Sequence, residues 1–187
     1  QELEEKWTVQ ARLKKKGYSS GACVLAALIV EEGIYVAWVG DCRMVGYDSN
    51  DRKHIQIITE DHKPTALIEK NRILSVGGTV RAVLQPGCFG EKEVGPKRVF
   101  PGGLAVSRSI GTIKSKKESF GAILGAVIAT PDVAFIQLEN GIKWLILGSD
   151  GLWDYYTNSK NLSSLIVQNI EDKPDEMCSK ILNAIRR

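Results

Sequence analysis

The sequence predicts an α+β fold in which antiparallel sheets carry helices on their outer faces. Two observations predict it. Apolar runs of strand length come in pairs around short polar or glycine-bearing turns, and segments with helical spacing are grouped between and after them. A third observation bounds it: 187 residues, 43% hydrophobic and 25% charged, suffice for one domain with a sizeable core.

The elements follow in order. Residues 1–16 read as a helix, with Leu3, Trp7 and Val9 to Leu13 as an apolar stripe. Lys14-Lys15-Lys16 then sits at the C-terminal end, where the helix dipole favours cations, before Gly17. That lysine run reads as a solvated helix end. The runs ACVLAALIV and IYVAWVG, separated by Glu31-Glu32-Gly33, read as a hairpin. Arg43 to Tyr47 reads as a third strand, Asp48 to Asp51 as a turn, and His54 to Thr59 as a fourth strand. Thr65 to Val76 is helical in pattern and ends at Gly77-Gly78. Thr79 to Leu84 resumes strand character. Residues 85–103, rich in proline and glycine, read as a loop, and the polar, lysine-rich residues 112–120 as a mobile flap. Val133–Leu138 and Lys143–Leu147 read as strands. Two amphipathic helices close the chain, one through Leu162, Leu165, Ile166 and Ile170, the other through Met177, Ile181, Leu182 and Ile185. For the second, Asp172 is the expected cap and Pro174 lies in the first turn.

The net charge of +3 mixes 25 bases with 22 acids and decides nothing about nucleic acid. No apolar run approaches the ~20 residues of a membrane span. The N-terminal segment QELEEKWTVQ is polar, unlike a signal peptide. Cys23, Cys42, Cys88 and Cys178 show no metal-ligand spacing, so a zinc site is not expected. Cys23, in an apolar run, reads as a small core residue, and a reducing intracellular compartment is the simplest setting.

Two strand ends carry acids. LILGSDGLWD takes a buried strand out to Asp150, with Asp154 four residues on and Trp153 expected in the core. YVAWVGDCR ends the same way at Gly40-Asp41. Were the two ends neighbours, three carboxylates would need a balancing charge, and a hard divalent cation such as Mg²⁺ or Mn²⁺ supplies one. Equally, each Asp could cap its own turn or pair with Arg43.

At this point the chain resembles the metal-dependent protein phosphatases of the PP2C (PPM) type. VGDCR (39–43) is similar to the family's VGDSR, and TEDHKP (59–64) to its T-x-DHKP. EKNRILSVGGTV (69–80) is similar to E-x-x-RI-x-x-x-GG-x-V, and GGLAVSRSIG (102–111) to GxLAVSRAxGD. ATPDV (129–133) resembles xxPEV, and LILGSDGLWD resembles FLILASDGLWD. The blocks run in order over about residues 17–160, which makes the set far more specific than any one block.

The resemblance implies a four-layer αββα sandwich of two antiparallel sheets flanked by helices. It implies Mg²⁺- or Mn²⁺-dependent hydrolysis of phosphoserine and phosphothreonine by a metal-activated water. Asp150 matches a core metal ligand, and Asp41 with Asp150 and Asp154 matches the set around a further, weaker ion. No other catalytic residue is identifiable. The implied partner is a phosphorylated protein, with no nucleic acid and no membrane span, in the cytoplasm or nucleus.

Departures accompany the matches. The family's DGHxG motif, its Glu-Asp pair, its phosphate-binding arginine and its late Asp-Asn are absent, so residues 1–187 are expected to be a single but partial domain lacking N-terminal and C-terminal portions, inactive alone. His62, in TEDHKP, is not the family's general acid, and His54 looks structural or exposed. Cys42 stands for Ser, Thr112 for Asp, and Ala22-Cys23 for Ser-Thr. The alternative is a catalytically dead relative serving as a binding or scaffold module.

Overall fold

The computed structural model describes residues 2–14, 16–48, 55–87, 90–137, 142–156 and 159–186. Its early elements are α1 (Glu2–Lys14), β1 (Gly21–Ala22), β2 (Val24–Ile29), β3 (Gly33–Val39), β4 (Arg43–Asp48), β5 (Ile55–Ile57) and α2 (Leu67–Ser75). They are followed by β6 (Thr79–Gly87), β7 (Gly90–Phe100), β8 (Ile110–Gly111), β9 (Asp132–Gln137) and β10 (Ile142–Gly148). Three helices close the order, α3 (Asp150–Trp153), α4 (Ser159–Gln168) and α5 (Pro174–Ile185). The fold is mixed α+β with antiparallel pairing, as the sequence predicts. β2, β3 and β9 form one sheet in the order β2-β3-β9. The β2–β3 turn is closed by reciprocal Val30 and Gly33 backbone bonds, the hairpin expected around Glu31-Glu32-Gly33. The chain divides into two units, residues 1–26, 37–41 and 61–133, and residues 27–36, 42–60 and 134–187.

In the first unit, α1 has Glu2, Glu4 and Glu5 in its first turn and Arg12 and Lys14 in its last, an arrangement that suits the helix dipole. Its expected stripe is mostly open: Leu3, Val9 and Leu13 are exposed and Ala11 is buried. Helix α2 is followed by Gly77 at positive φ, as the Gly-Gly pair foretold. Its Ile73 packs with Val99, Ala126 and Val127 in a small core.

One expectation in this unit is corrected and another refined. Residues 85–103 are not a loop, because β7 pairs antiparallel with β6 along a long ribbon from Thr79↔Phe100 to Gly87↔Gly90. Prolines misled the reading. Pro86 lies near the ribbon tip, and Pro96 lies where the register shifts between Arg81 and Val83, a bulge that needs no ladder hydrogen bond from it. Residues 112–120, expected as a mobile flap, are more structured than a bare polar loop. Two short 3₁₀ turns, Ile113–Ser115 and Glu118–Phe120, bury Ile113 and Ser115. Lys116 turns inward, donating to Glu4 Oε1 at 2.7 Å and to the Ser109 carbonyl at 2.6 Å, while Lys114 stays exposed.

In the second unit, β10, β4 and β5 form an antiparallel sheet with β4 in the middle. Its apolar face joins Trp153, Tyr156 and the helices α4 and α5 through Val45, Tyr47, Ile146, Leu162, Ile166, Met177 and Ile181. Period-2 strands and period-3.6 helices thus share one core. Pro174 opens α5 as expected, but Lys173 and not Asp172 is the residue before it. Asp172 instead accepts from Lys180 at 2.6 Å. The expected turn at 48–51 falls beyond Asp48 outside the described residues, as do Lys15, His54 and Cys88.

Candidate functional site

Asp41 follows β3, and its position is set by its neighbours in the first unit. Gly40 has φ +100°, a conformation open to glycine, and a Cβ there would overlap the Cys23 side chain. The Gly40 peptide is gripped from one segment. His62 accepts the Gly40 N–H on Nδ1 at 2.9 Å, and the His62 N–H donates to the Gly40 carbonyl at 2.9 Å. The next residue, Lys63, places its ammonium on Asp41 Oδ2. Cys23 Sγ donates to Asp41 Oδ1 at 3.2 Å. Burial alone would raise the Asp41 pKa; the Lys63 and Cys23 bonds outweigh it and hold the carboxyl below its ordinary value.

His62 begins a chain of polar and charged groups, largely buried except at Asp132, whose side chain is 47% exposed. Its ring is stacked on Trp38 with centroids 6.1 Å apart, and Nε2 faces Asp132 Oδ2 at 3.2 Å. Because Nδ1 must accept the Gly40 N–H, the neutral ring carries its proton on Nε2. Burial, ahead of the opposing Asp132 bond, pushes the His62 pKa below its usual value. Asp132 Oδ1 accepts from Arg108 at 2.6 Å. Arg108 closes on Glu69 Oε1 through Nε at 3.0 Å and Nη2 at 2.6 Å. Glu69 Oε2 accepts from Arg72 at 2.6 Å and from Ser107 Oγ at 2.5 Å. Glu69 is 3% exposed; burial raises its pKa, but bonds from Arg108, Ser107 and Arg72 prevail and take it from 4.5 to about 2. The blocks VGD, DHKP, EKNR, AVSRS and PDV, scattered in sequence, are thereby joined side chain to side chain.

In the second unit, β10 ends at Gly148 and α3 begins at Asp150, with Ser149 as N-cap residue. Asp150 is exposed, and its Oδ1 accepts the Gly151 N–H at 2.9 Å. Asp154 is exposed one turn later; its N–H donates to the Asp150 carbonyl at 2.7 Å, and its carboxylate has no partner among the described residues. Trp153 is buried as predicted, its Nε1 donating to the Gly148 carbonyl at 2.8 Å. Arg43 lies 5.6 Å from the centre of the Trp153 ring.

Within each unit, no three His, Cys, Asp or Glu side chains converge among the described residues. Asp41 belongs to the first unit, Asp150 and Asp154 to the second. Each carboxylate taken singly is the hard oxygen donor that a divalent ion takes. Asp150 and Asp154 present carboxylates to solvent, and Asp41 already holds a cation, the Lys63 ammonium. Cys23 is not an apolar core residue, since its half-buried thiol serves Asp41. Thr112, where an Asp was expected, has φ +46° and shares a 2.6 Å bond with Ser109 Oγ, so it stabilises its own turn. Sequence reasoning missed Lys63, Glu69, Arg108 and Asp132. Their only signal was membership of the motif blocks TEDHKP, EKNR, AVSRS and ATPDV, since nothing local distinguishes them from other charged residues.

The whole chain finds relatives. The family model described as protein phosphatase 2C matches residues 2–187. The chain is 36% identical over 152 residues to probable protein phosphatase 2C 14 of Arabidopsis thaliana, covering 81% of this chain and 29% of that protein. It is 32% identical over 171 residues to an Arabidopsis thaliana protein kinase and PP2C-like domain-containing protein, covering 91% of this chain and 22% of the relative. The chain thus spans well under half the length of these relatives. Among solved structures it resembles a C. elegans sex determining protein, with TM-score 0.73, 20% identity, and coverage of 97% of this chain and 41% of that one. It also resembles serine-threonine phosphatase 2C from Toxoplasma gondii, with TM-score 0.68, 21% identity, and coverage of 98% and 58%.

Proposed function

Because the chain belongs to the protein phosphatase 2C family, we propose that the protein is a serine/threonine phosphatase, hydrolysing phosphoserine and phosphothreonine in protein substrates with Mg²⁺ or Mn²⁺. The observation that carries this reading is the family match across residues 2–187, with Asp150 brought to the surface where β10 ends. Asp150, Asp41 and Asp154 are the ligands the reading assigns, supported by their motif matches and by their oxygen-donor chemistry. Bound there, the ion would lower the pKa of a coordinated water and offset phosphate charge.

The chain's own residues have definable tasks. Gly40 and His62 orient the backbone that carries Asp41, and Lys63 balances that carboxylate. Burial keeps His62 neutral against the pull of Asp132, and the Gly40 N–H on Nδ1 with Asp132 at Nε2 fixes its tautomer. Residues 1–187 are read as part of one phosphatase domain, acting in the cytoplasm or nucleus. Cys23, Cys42 and Cys178 are reduced cysteines, as a reducing compartment would keep them. One observation favours a non-catalytic scaffold instead: Lys63 already neutralises Asp41.

Hydrolysis of a phosphothreonine peptide by the full-length protein separates the readings. The expected result is Mn²⁺-dependent turnover, abolished by EDTA and reduced by Asp150→Ala at least ~100-fold, as for loss of a group acting on developing charge. Turnover indifferent to both would end the metal reading, and no turnover at any Mn²⁺ concentration would favour the scaffold.

A further inference from the structure

We infer that Lys63 is a tethered counter-ion for Asp41 that a divalent cation must displace, so that Lys63 sets metal affinity at this carboxylate. The inference rests on the reading of Asp41 as a metal ligand. Asp41 is largely buried, its side chain 11% exposed, and a carboxylate in that setting needs a compensating charge. Lys63 supplies it.

The two ends of Lys63 are held differently. Its backbone is fixed: the Lys63 N–H donates to the Asp61 carbonyl at 2.8 Å, and the preceding His62 grips Gly40 through both backbone and ring. Its side chain is 38% exposed, so the four-carbon stem has solvent to move into. The other side-chain donor to Asp41, the Cys23 thiol, is neutral and weak and does not oppose a cation. An ammonium and a divalent ion on one carboxylate repel each other, so binding of the ion requires Lys63 to swing away. The same short segment, residues 62–63, therefore both positions Asp41 and holds its charge in reserve.

Mn²⁺ binding to the full-length protein, followed by the paramagnetic resonance of the free ion at 0.15 M salt, tests this in the wild type, Lys63→Met and Asp41→Asn. Lys63→Met should tighten the Asp41-dependent ion about fivefold, the value of losing a partly exposed pair as competitor. Mn²⁺ should also raise the unfolding temperature more in that variant than in the wild type. Affinity equal to or weaker than wild type would overturn the inference. If Lys63→Met does not fold without Mn²⁺, Lys63→Gln is titrated in its place, and unchanged affinity there counts equally against it. Asp41→Asn with undiminished Mn²⁺ stoichiometry would instead overturn the assignment of Asp41 as a ligand, whatever Lys63 does.

Discussion

Replacing Glu69 by Gln should cost about 3–5 kcal/mol of stability at pH 7, the range for removing one partner from a buried ion pair. Glu69 is 3% exposed and receives four donors: two from Arg108, one from Arg72 and one from Ser107. Glutamine keeps one acceptor oxygen and turns the other position into a donor facing donors. Arg108 would then be left with Asp132 and the Thr130 carbonyl at 3.1 Å. A second route gives a similar size. A carboxyl pKa moved from 4.5 to about 2 by folding contributes about 3 kcal/mol at neutral pH. The sign is that of a depressed carboxylate: the contribution is complete above pH 4.5 and is lost as pH falls towards 2, about 2 kcal/mol of it by pH 3. Urea unfolding of the wild type and Glu69→Gln at pH 7 and pH 3 checks both routes. A penalty under about 1 kcal/mol at pH 7, or one equally large at pH 3, would refute the view that this carboxylate is the ionised centre of the network.

Three other outcomes are expected. His62 has a folded pKa below 6.5, so its contribution is present above that pH and lost as pH falls through the folded value; stability measured from pH 7 to 5 should fall in the wild type and stay flat over that window in His62→Asn. Gly40→Ala should destabilise by about 2–4 kcal/mol, combining an unfavourable φ of +100° with overlap on Cys23, and a melting temperature within a degree of wild type would contradict it. Lys116→Met removes the ammonium that joins Glu4 of α1 to the Ser109 carbonyl; amides of residues 2–14 should exchange about tenfold faster, a ~1.4 kcal/mol loss, with the β6–β7 ribbon unchanged.

The candidate site was legible in part. Asp150 and Asp154 could be placed because their spacing is local, and a strand end followed by a glycine turn delivers them to the surface through i, i+4 geometry. Asp41 was legible as a strand-end acid for the same reason. The network behind it was not. Lys63 and Asp41, 22 residues apart, and Arg108 and Glu69, 39 apart, meet only through folding, and no periodicity encodes such pairs. Lys116, one of several lysines in the polar segment 112–120, is largely buried beside Glu4, 112 residues away in sequence.

By itself, then, the sequence determined the α+β class, most strand and helix positions and the family, since alternation, helical spacing and ordered motifs are properties of neighbouring residues. It misjudged β7 because proline and glycine usually break strands, and whether a bulge accommodates them depends on the partner strand. Only the tertiary structure decided which charges stay exposed and which become buried support. That choice depends on burial, and burial is set by what packs on a residue from far along the chain.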